Sequence, residues 1–444
     1  MKPLRPLVFL LFSCLAALPL SAVAAQAPPP PVATPAVLPL EEALTLALRN
    51  NPTLAIARHE RNVGLIDADR ARPGLRPEVT ATASQIVRGP RVDLPGKPDD
   101  VVLPNSISRL ELGLRQPVFQ FGAGDAPGKR ANAMAAAARS DYRKAELDTV
   151  QEVREAYLLI VRTRALAEIA TNGVLLAREN VRMTRVLVDG GFQAQVDLLD
   201  AERGLAEAES QELQARNGVE LARANVNRLL GRAIDTPFEV GASGELPADV
   251  AALEELTARA MRQRPEAETL RHQIEAAEAG IRLAKASRQP RVTVDLAYAL
   301  QTQTVLVPKS GVSAGVSVSL PIFNGPAHRY TVREAEERVA QLKSGLSALE
   351  QGISLEIQRQ RLAIQEARAR ISANQRAVAS AEKAYEITQA RLERGRAIQL
   401  EVLNARLNLQ RARGSIAEAE GDLRLADARL QRALGLGPTL EAGN

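Results

Sequence analysis

The stretch Gly190-Gly-Phe-Gln-Ala-Gln-Val-Asp-Leu-Leu-Asp-Ala201 returns later in the chain as Arg394-Gly-Arg-Ala-Ile-Gln-Leu-Glu-Val-Leu-Asn-Ala405, at an offset of 204 (395 − 191). Gly191, Leu199 and Ala201 keep their identity as Gly395, Leu403 and Ala405. The same offset carries Leu230-Gly231 to Leu434-Gly435, and Pro117 and Phe119 to Pro321 and Phe323. Upstream, Pro52, Arg58, His59, Pro77, Val79 and Thr80 recur as Pro265, Arg271, His272, Pro290, Val292 and Thr293, at an offset of 213 (265 − 52). The first copy therefore holds a longer insertion between its two strand-like segments. One duplication of a long unit is a different architecture from a many-repeat solenoid.

Each copy reads helix, strand, loop, strand, very long helix pair. Leu40, Ala43, Leu44, Ala47 and Leu48 form a helical stripe, with Glu41 and Glu42 at its positive N-terminal end. Pro52 opens a second helical stretch to about Ala71; the matching segment of the second copy is about Ala251 to Ser287. Period-two segments follow. Val292, Val294, Leu296, Tyr298 and Leu300 alternate with Thr293, Asp295, Ala297 and Ala299. Val312, Ala314, Val316, Val318 and Leu320 alternate with Ser313, Gly315, Ser317 and Ser319. In the first copy Leu110, Leu112 and Leu114 alternate with Arg109, Glu111, Gly113 and Arg115, while Val79 to Val87 alternates less cleanly. Each segment has the length of a tilted membrane-spanning strand, about 9–11 residues. Pro117 and Pro321 are expected to end the second strand of each pair. Helices over about Asp125 to Val188 and Ala327 to Glu393 would each run about 90–100 Å. Gly190-Gly191 and Arg394-Gly395-Arg396 break them, as helix C-termini favour glycine.

The 444 residues carry 25% charged and 45% hydrophobic side chains, with a net charge of +5. Arg and Glu are interspersed along the helices, which fits solvated faces and offers no nucleic-acid tract. Aromatic residues make up 3% and Trp is absent, which removes stacking platforms for bases. Residues 1–27 read as a signal peptide: Lys2 and Arg5, an apolar stretch Leu7 to Leu20, then small residues at Ala22-Val-Ala24 or Ala25-Gln-Ala27. The single cysteine, Cys14, lies inside it, so the mature chain can form no disulfide. Residues 28–39 read as a proline-rich linker, 40–236 as the first unit, 237–250 as a connector, 251–436 as the second unit and 437–444 as a tail.

Four membrane strands cannot close a barrel, for which about eight is the practical minimum. An open edge in lipid would leave backbone groups unpaired at several kcal/mol each. If these are membrane strands, several chains must pool them, and three chains give twelve.

The pattern resembles the TolC-type outer-membrane efflux proteins. The residues that carry the likeness are Leu40-Glu-Glu-Ala-Leu44 with Ala47-Leu48 and Asn51-Pro52, the strand ends Gln116-Pro-Val-Phe119 and Leu320-Pro-Ile-Phe323, and the two tips with Val196-Asp-Leu-Leu-Asp-Ala201 and Leu400-Glu-Val-Leu-Asn-Ala405. No single motif is specific; their order and duplication are. The likeness spans about residues 40 to 436. It implies a mainly α chain with membrane β: a homotrimer whose twelve-stranded barrel sits in outer-membrane lipid, continuous with a long periplasmic α-helical barrel. It implies a periplasmic adaptor and an inner-membrane transporter as partners. It places adaptor contacts at Gly190, Gly191, Phe192, Gly395, Arg396 and Ala397. It places a periplasmic gate at Asp197, Glu401 and Asn404, with Asp200 one turn beyond Asp197; Asn404 departs from the family's acidic pair. Phe119, Phe121, Tyr298 and Phe323, with Tyr330, are the candidates for a thin aromatic girdle at the membrane interface.

No catalytic, cofactor or metal site is expected. His59, His272 and His328 lack partners at metal-ligand spacing. Gly122-Ala-Gly-Asp125 and Gly241-Ala-Ser-Gly244 lack the phosphate-loop spacing and its trailing lysine, and read as turns. The two rival readings are a periplasmic adaptor and a structural coiled-coil protein of the envelope. An adaptor would carry one helical hairpin flanked by β segments, and a coiled coil would carry no alternating strands.

Overall fold

The structure, a computed structural model, describes residues 37–71, 77–87, 89, 92–95, 97–103, 105–241, 252–302, 304, 306–323 and 325–437. The expected signal peptide, Cys14, most of the linker, residues 242–250 of the connector and the end of the tail lie outside the described residues. In chain order the elements are β1 (Val37–Leu38), α1 (Leu40–Asn50), α2 (Pro52–Ala71), β2 (Glu78–Val87), β3 (Val92–Leu94), β4 (Lys97–Leu103), β5 (Ser106–Gln120), α3 (Ala126–Asp189), α4 (Gln195–Leu229), β6 (Glu239–Val240), α5 (Leu253–Gln263), α6 (Pro265–Ala286), β7 (Arg291–Gln301), β8 (Ser310–Ser319), α7 (Ala327–Glu393) and α8 (Gln399–Ala433). The two offsets recur in these bounds: α5 starts 213 residues after α1 (253 − 40), and α8 starts 204 after α4 (399 − 195). No helix among the described residues is long and apolar enough to cross a membrane.

The 64 residues of α3 and 67 of α7 each span about 100 Å. Such helices need lateral cover, because an isolated polar-rich helix is only marginally stable in water. Shorter helices cover each one. Near its start α3 packs on α2, through Ala131 and Ala135 against Ala68. Near its end it packs on α4, through Val181 against Leu198 and Ala201. At the waist Leu44 and Ala47 of α1 join Val153, Tyr157 and Ile160 of α3 and Val226 and Leu229 of α4 in one core. The second core places Leu256 and Ala260 of α5 with Ile353, Ile357 and Ile364 of α7 and Leu423 and Leu430 of α8. Val37–Leu38 were read as the end of the linker; they instead form β1, parallel to β6. The buried Tyr157 explains this placement: its hydroxyl donates to the Leu38 carbonyl at 2.8 Å and accepts from the Gly241 amide at 2.7 Å.

The two units meet where α3 packs against α6 and α8. Arg432 of α8, whose side chain is 14% exposed, donates to Asp148 of α3 at 2.8 Å and to Glu266 of α6 at 2.6 Å. Arg429 donates to Glu155 at 2.7 Å beside it. Removing one partner of so desolvated a cluster leaves a charge uncompensated, which costs far more than an exposed pair contributes.

The four long strands form one antiparallel sheet, ordered β2-β5-β7-β8, so the two copies join through β5 and β7. The hairpin of β3 and β4 occupies the longer insertion of the first copy. Pro117 was expected to end its strand; β5 instead continues to Gln120. The proline is tolerated because β2 reaches only to Arg115, so beyond it β5 has a neighbour on one side, and the register shifts between Pro117 and Phe119. β8 does stop at Ser319, before Pro321.

Candidate functional site

Two regions stand apart from the packed waist: the far tips of the long helices and the open sheet at the other end. The tips are the same turn built twice. Gly191 (φ 74°) and Gly395 (φ 67°) take the left-handed conformation that ends a helix. The Phe192 amide donates to the Leu187 carbonyl, and the Arg396 amide to the Arg391 carbonyl, both at 2.8 Å. The surfaces differ. Phe192 is 81% exposed and folds back so that a Cβ on Gly190 would meet its ring at 2.9 Å. Val196 and Leu199 extend this apolar patch. In the second tip Arg394, Gly395 and Arg396 are exposed and Ala397 is half-buried, giving a cationic surface.

The four expected gate residues all lie in the first turns of the return helices, and all are exposed. The Asp197 carboxylate accepts from the Ala194 amide at 3.2 Å, so it caps α4. Asp200 lies 3.6 Å from Arg203, and Glu401 lies 4.0 Å from Arg391. Asn404 is on the exposed face of α8 one turn beyond. Further along, the hairpins carry one ion pair with its signs exchanged. Arg178 meets Glu209 at 3.0 Å in the first, and Glu382 meets Arg413 at 2.7 Å at the equivalent places in the second.

The sheet is two-faced. One face carries Val79, Ala81, Leu110, Leu112, Leu114, Val292, Val294, Leu296, Tyr298, Val312, Val316 and Val318 in register. The other carries Thr80, Thr82, Arg109, Glu111, Gly113, Arg115, Thr293, Asp295, Ser313 and Ser317. The segment from Val79, less clean by eye, follows this alternation through Ser84 once paired with β5; Gln85 and Ile86 then break it. Large apolar residues on the first face stand open, Val312 at 76% and Val316 at 70% exposed. So large an uncovered apolar area marks an interface with lipid or protein. Among the described residues β2 and β8 each have a neighbour on one side only.

The aromatic candidates fall at two levels. Phe119 and Phe121 touch edge to face, with ring centres 4.4 Å apart, at the junction with the helices. Phe119 lies inside β5 opposite Val292, not beyond the strand end. Phe323 and Tyr330 are exposed at the same end, after β8 and in the first turn of α7. Tyr298 lies six residues further along β7 than Val292, so about 20 Å away along the strand.

His59 and His272 lie on α2 and α6, and His328 Nδ1 is 3.1 Å from the Ser287 hydroxyl. No cluster of metal-ligating side chains occurs among the described residues. Gly122 and Gly124 have positive φ in the turn into α3; most of Gly241 to Gly244 lies outside the described residues. Arg115 and Asp295 were recognised as polar-face residues, but their contact at 2.8 Å joins strands 180 residues apart.

The family model described as outer membrane efflux protein matches this chain twice, over residues 43–232 and 256–436. The outer membrane efflux protein BepC of Brucella suis is 24% identical over 407 residues, 89% of this chain and 85% of the relative. The alkaline protease secretion protein AprF of Pseudomonas aeruginosa is 24% identical over 343 residues, 72% of this chain and 68% of the relative. The crystal structure of the outer membrane protein VceC from Vibrio cholerae shares the fold, with a TM-score of 0.69 at 22% identity over 90% of this chain and 96% of that one. Two matched units, each at the offset found within the sequence, together with the helical body and the two-faced sheet, mean that this chain belongs to the outer membrane efflux protein family.

Proposed function

We propose that three copies of this chain assemble into one passive duct. The protein is an outer-membrane channel of an efflux or secretion system, as its family and relatives are. One observation carries the trimer: a four-stranded sheet, apolar on one face and polar or small on the other, with an edge strand on each side that has one neighbour. Such a sheet survives in lipid only when its edges are paired. Joining β8 of one copy to β2 of the next, three times, closes twelve strands and turns the apolar faces outward. The helices then continue the barrel as a tube into the periplasm.

In this reading the tips at Gly190 to Phe192 and Gly395 to Ala397 receive a periplasmic adaptor, which links the tube to an inner-membrane transporter. The adaptor and transporter choose the cargo. The apolar first tip and the cationic second tip support two unlike contacts per chain. Asp197, Asp200, Glu401 and Asn404 line the periplasmic mouth, where carboxylates crowded round a narrow axis would favour cations. The adaptor reading of the chain itself is disfavoured, because an adaptor has no use for a duplicated unit with a membrane-type sheet.

The mass of the mature protein in mild detergent, with bound detergent subtracted, tests the assembly. A stable species of three chains that inserts into planar bilayers and conducts is the expected result. A monodisperse monomer, soluble without detergent, would overturn it.

A further inference from the structure

The polar face of the sheet carries Arg291 where β7 begins, opposite Gln120 and Ser319, and beyond it two tiers of charge. One row across the strands reads Glu78, Arg115, Asp295, Gly315. Arg115 Nε donates to Asp295 Oδ1 at 2.8 Å, and the Ser317 hydroxyl donates to Asp295 Oδ2 at 3.4 Å. Glu78 opens β2, the element that follows α2, so this row lies at the helix end of the sheet. Six residues along β5, about 20 Å towards the far rim, Arg109 meets Glu111 at 2.6 Å. The row between is small and hydroxylated: Thr80, Gly113, Ala297, Ser313.

These charges cannot face lipid, where each would cost up to about 2–4 kcal/mol near the midplane while the apolar face went to water. Turning the apolar face outward puts both tiers in the lumen. The Arg115 side chain is 67% exposed and that of Asp295 40%, so solutes passing along this face meet the pair directly. An ion pair so exposed contributes little to folding. Its charge still acts on nearby ions across roughly a Debye length.

Resting on the duct reading, we propose that Arg115 sets the ion preference of the barrel lumen by cancelling the Asp295 carboxylate. Per chain the row Glu78, Arg115, Asp295 carries −1. Without the guanidinium it carries −2, and without the Asp295 charge it carries zero. Three copies place this row round one lumen, so each single change alters the ring by three charges.

Reversal potentials in a KCl gradient across planar bilayers test this with the full mature protein. Arg115→Gln should raise the potassium-to-chloride permeability ratio about twofold or more, and Asp295→Asn should lower it. The double variant, again −1 per chain, should return close to the wild-type ratio. All shifts should shrink in molar salt. Four conducting proteins with one common ratio would overturn the proposal. So would single variants that no longer conduct beside a conducting wild type, since the pair would then serve assembly. A wild type that never conducts would instead remove the duct reading itself.

Discussion

Asn51 Nδ2 donates to the carbonyl of Leu229 at 2.9 Å, tying the joint between α1 and α2 to the C-terminus of α4. The other end of the same amide, Oδ1, accepts from the amides of Thr53 at 2.8 Å and Leu54 at 3.1 Å, and so caps α2. Arg264 holds the equivalent place in the second unit, where its Nε donates to the Ala433 carbonyl at 2.6 Å. Both side chains are buried. Asn51→Ala removes a helix cap and strands a buried carbonyl, so it should destabilise the fold by about 2 kcal/mol. Thermal unfolding followed by the helical circular dichroism signal checks this. Thr45→Ala, on an exposed face of α1, should leave the midpoint nearly unchanged.

The glycines that end the helices should fall into two classes. Gly231 (φ 66°) and Gly435 (φ 75°) sit against the chain: an added Cβ would lie 2.4 Å from the Asn50 carbonyl oxygen and 2.8 Å from that of Gln263. Gly191 and Gly395, at the tips, have open space around them. Alanine at either tip should cost about 1 kcal/mol, the strain of the left-handed backbone. Alanine at Gly231 or Gly435 adds a backbone clash and should cost roughly 2–3 kcal/mol or more. Equal losses at all four positions in the same unfolding assay would contradict this ordering.

Burial pushes the Asp427 carboxyl above its ordinary range, although Gln431 donates to it at 2.7 Å and Arg154 lies near. A carboxyl raised in the fold opposes folding at pH values where it is ionised. This cost fades as pH falls through the raised value and is gone below the unfolded value of about 3.9. Asp427→Asn should therefore raise the thermal midpoint at pH 7, with a gain that shrinks towards pH 4. Glu155 has the opposite sign. Burial pushes it up, but hydrogen bonds from Arg429 and Gln151 outweigh burial and hold it below its ordinary range. Its stabilisation is present above the unfolded value and fades as pH falls through the depressed one. Glu155→Gln should lower the midpoint at pH 7 and matter least in acid.

Glu401 and Arg391, 4.0 Å apart and both exposed, bring opposite charges to the second tip. If this tip borders the mouth of the tube, Glu401→Ala should lower the cation preference of the channel and Arg391→Ala should raise it. Bilayer recordings of both variants decide the matter. Unchanged conductance and unchanged preference in Glu401→Ala would remove this residue from the gate.

Much of this architecture was legible from periodicity and punctuation. The period of the apolar residues separates strands from helices. Proline placed the start of α2, and glycine the tip turns, because these residues restrict or release the backbone locally; the stretch from about Ala251 to Ser287, read as one segment, divides at Pro265 into α5 and α6. The expected long helices, Asp125 to Val188 and Ala327 to Glu393, lie within a residue of α3 and α7. Pro117 misled for a related reason. Whether a proline ends a strand depends on which side of the strand has a neighbour, and that is not a local property.

The sequence by itself determined the duplication, which shows as matching residues at two fixed offsets, and the long helices, the tip turns and the amphipathic faces of the strands, which follow from residues within a few positions of one another. Only the tertiary structure decided that β5 and β7 join the two units in one sheet, that Asn51 and Arg264 bracket the waist, and that Arg115 meets Asp295. Each of these depends on groups brought together from more than 90 residues apart in sequence, where burial and hydrogen-bond geometry choose the partner and local pattern cannot.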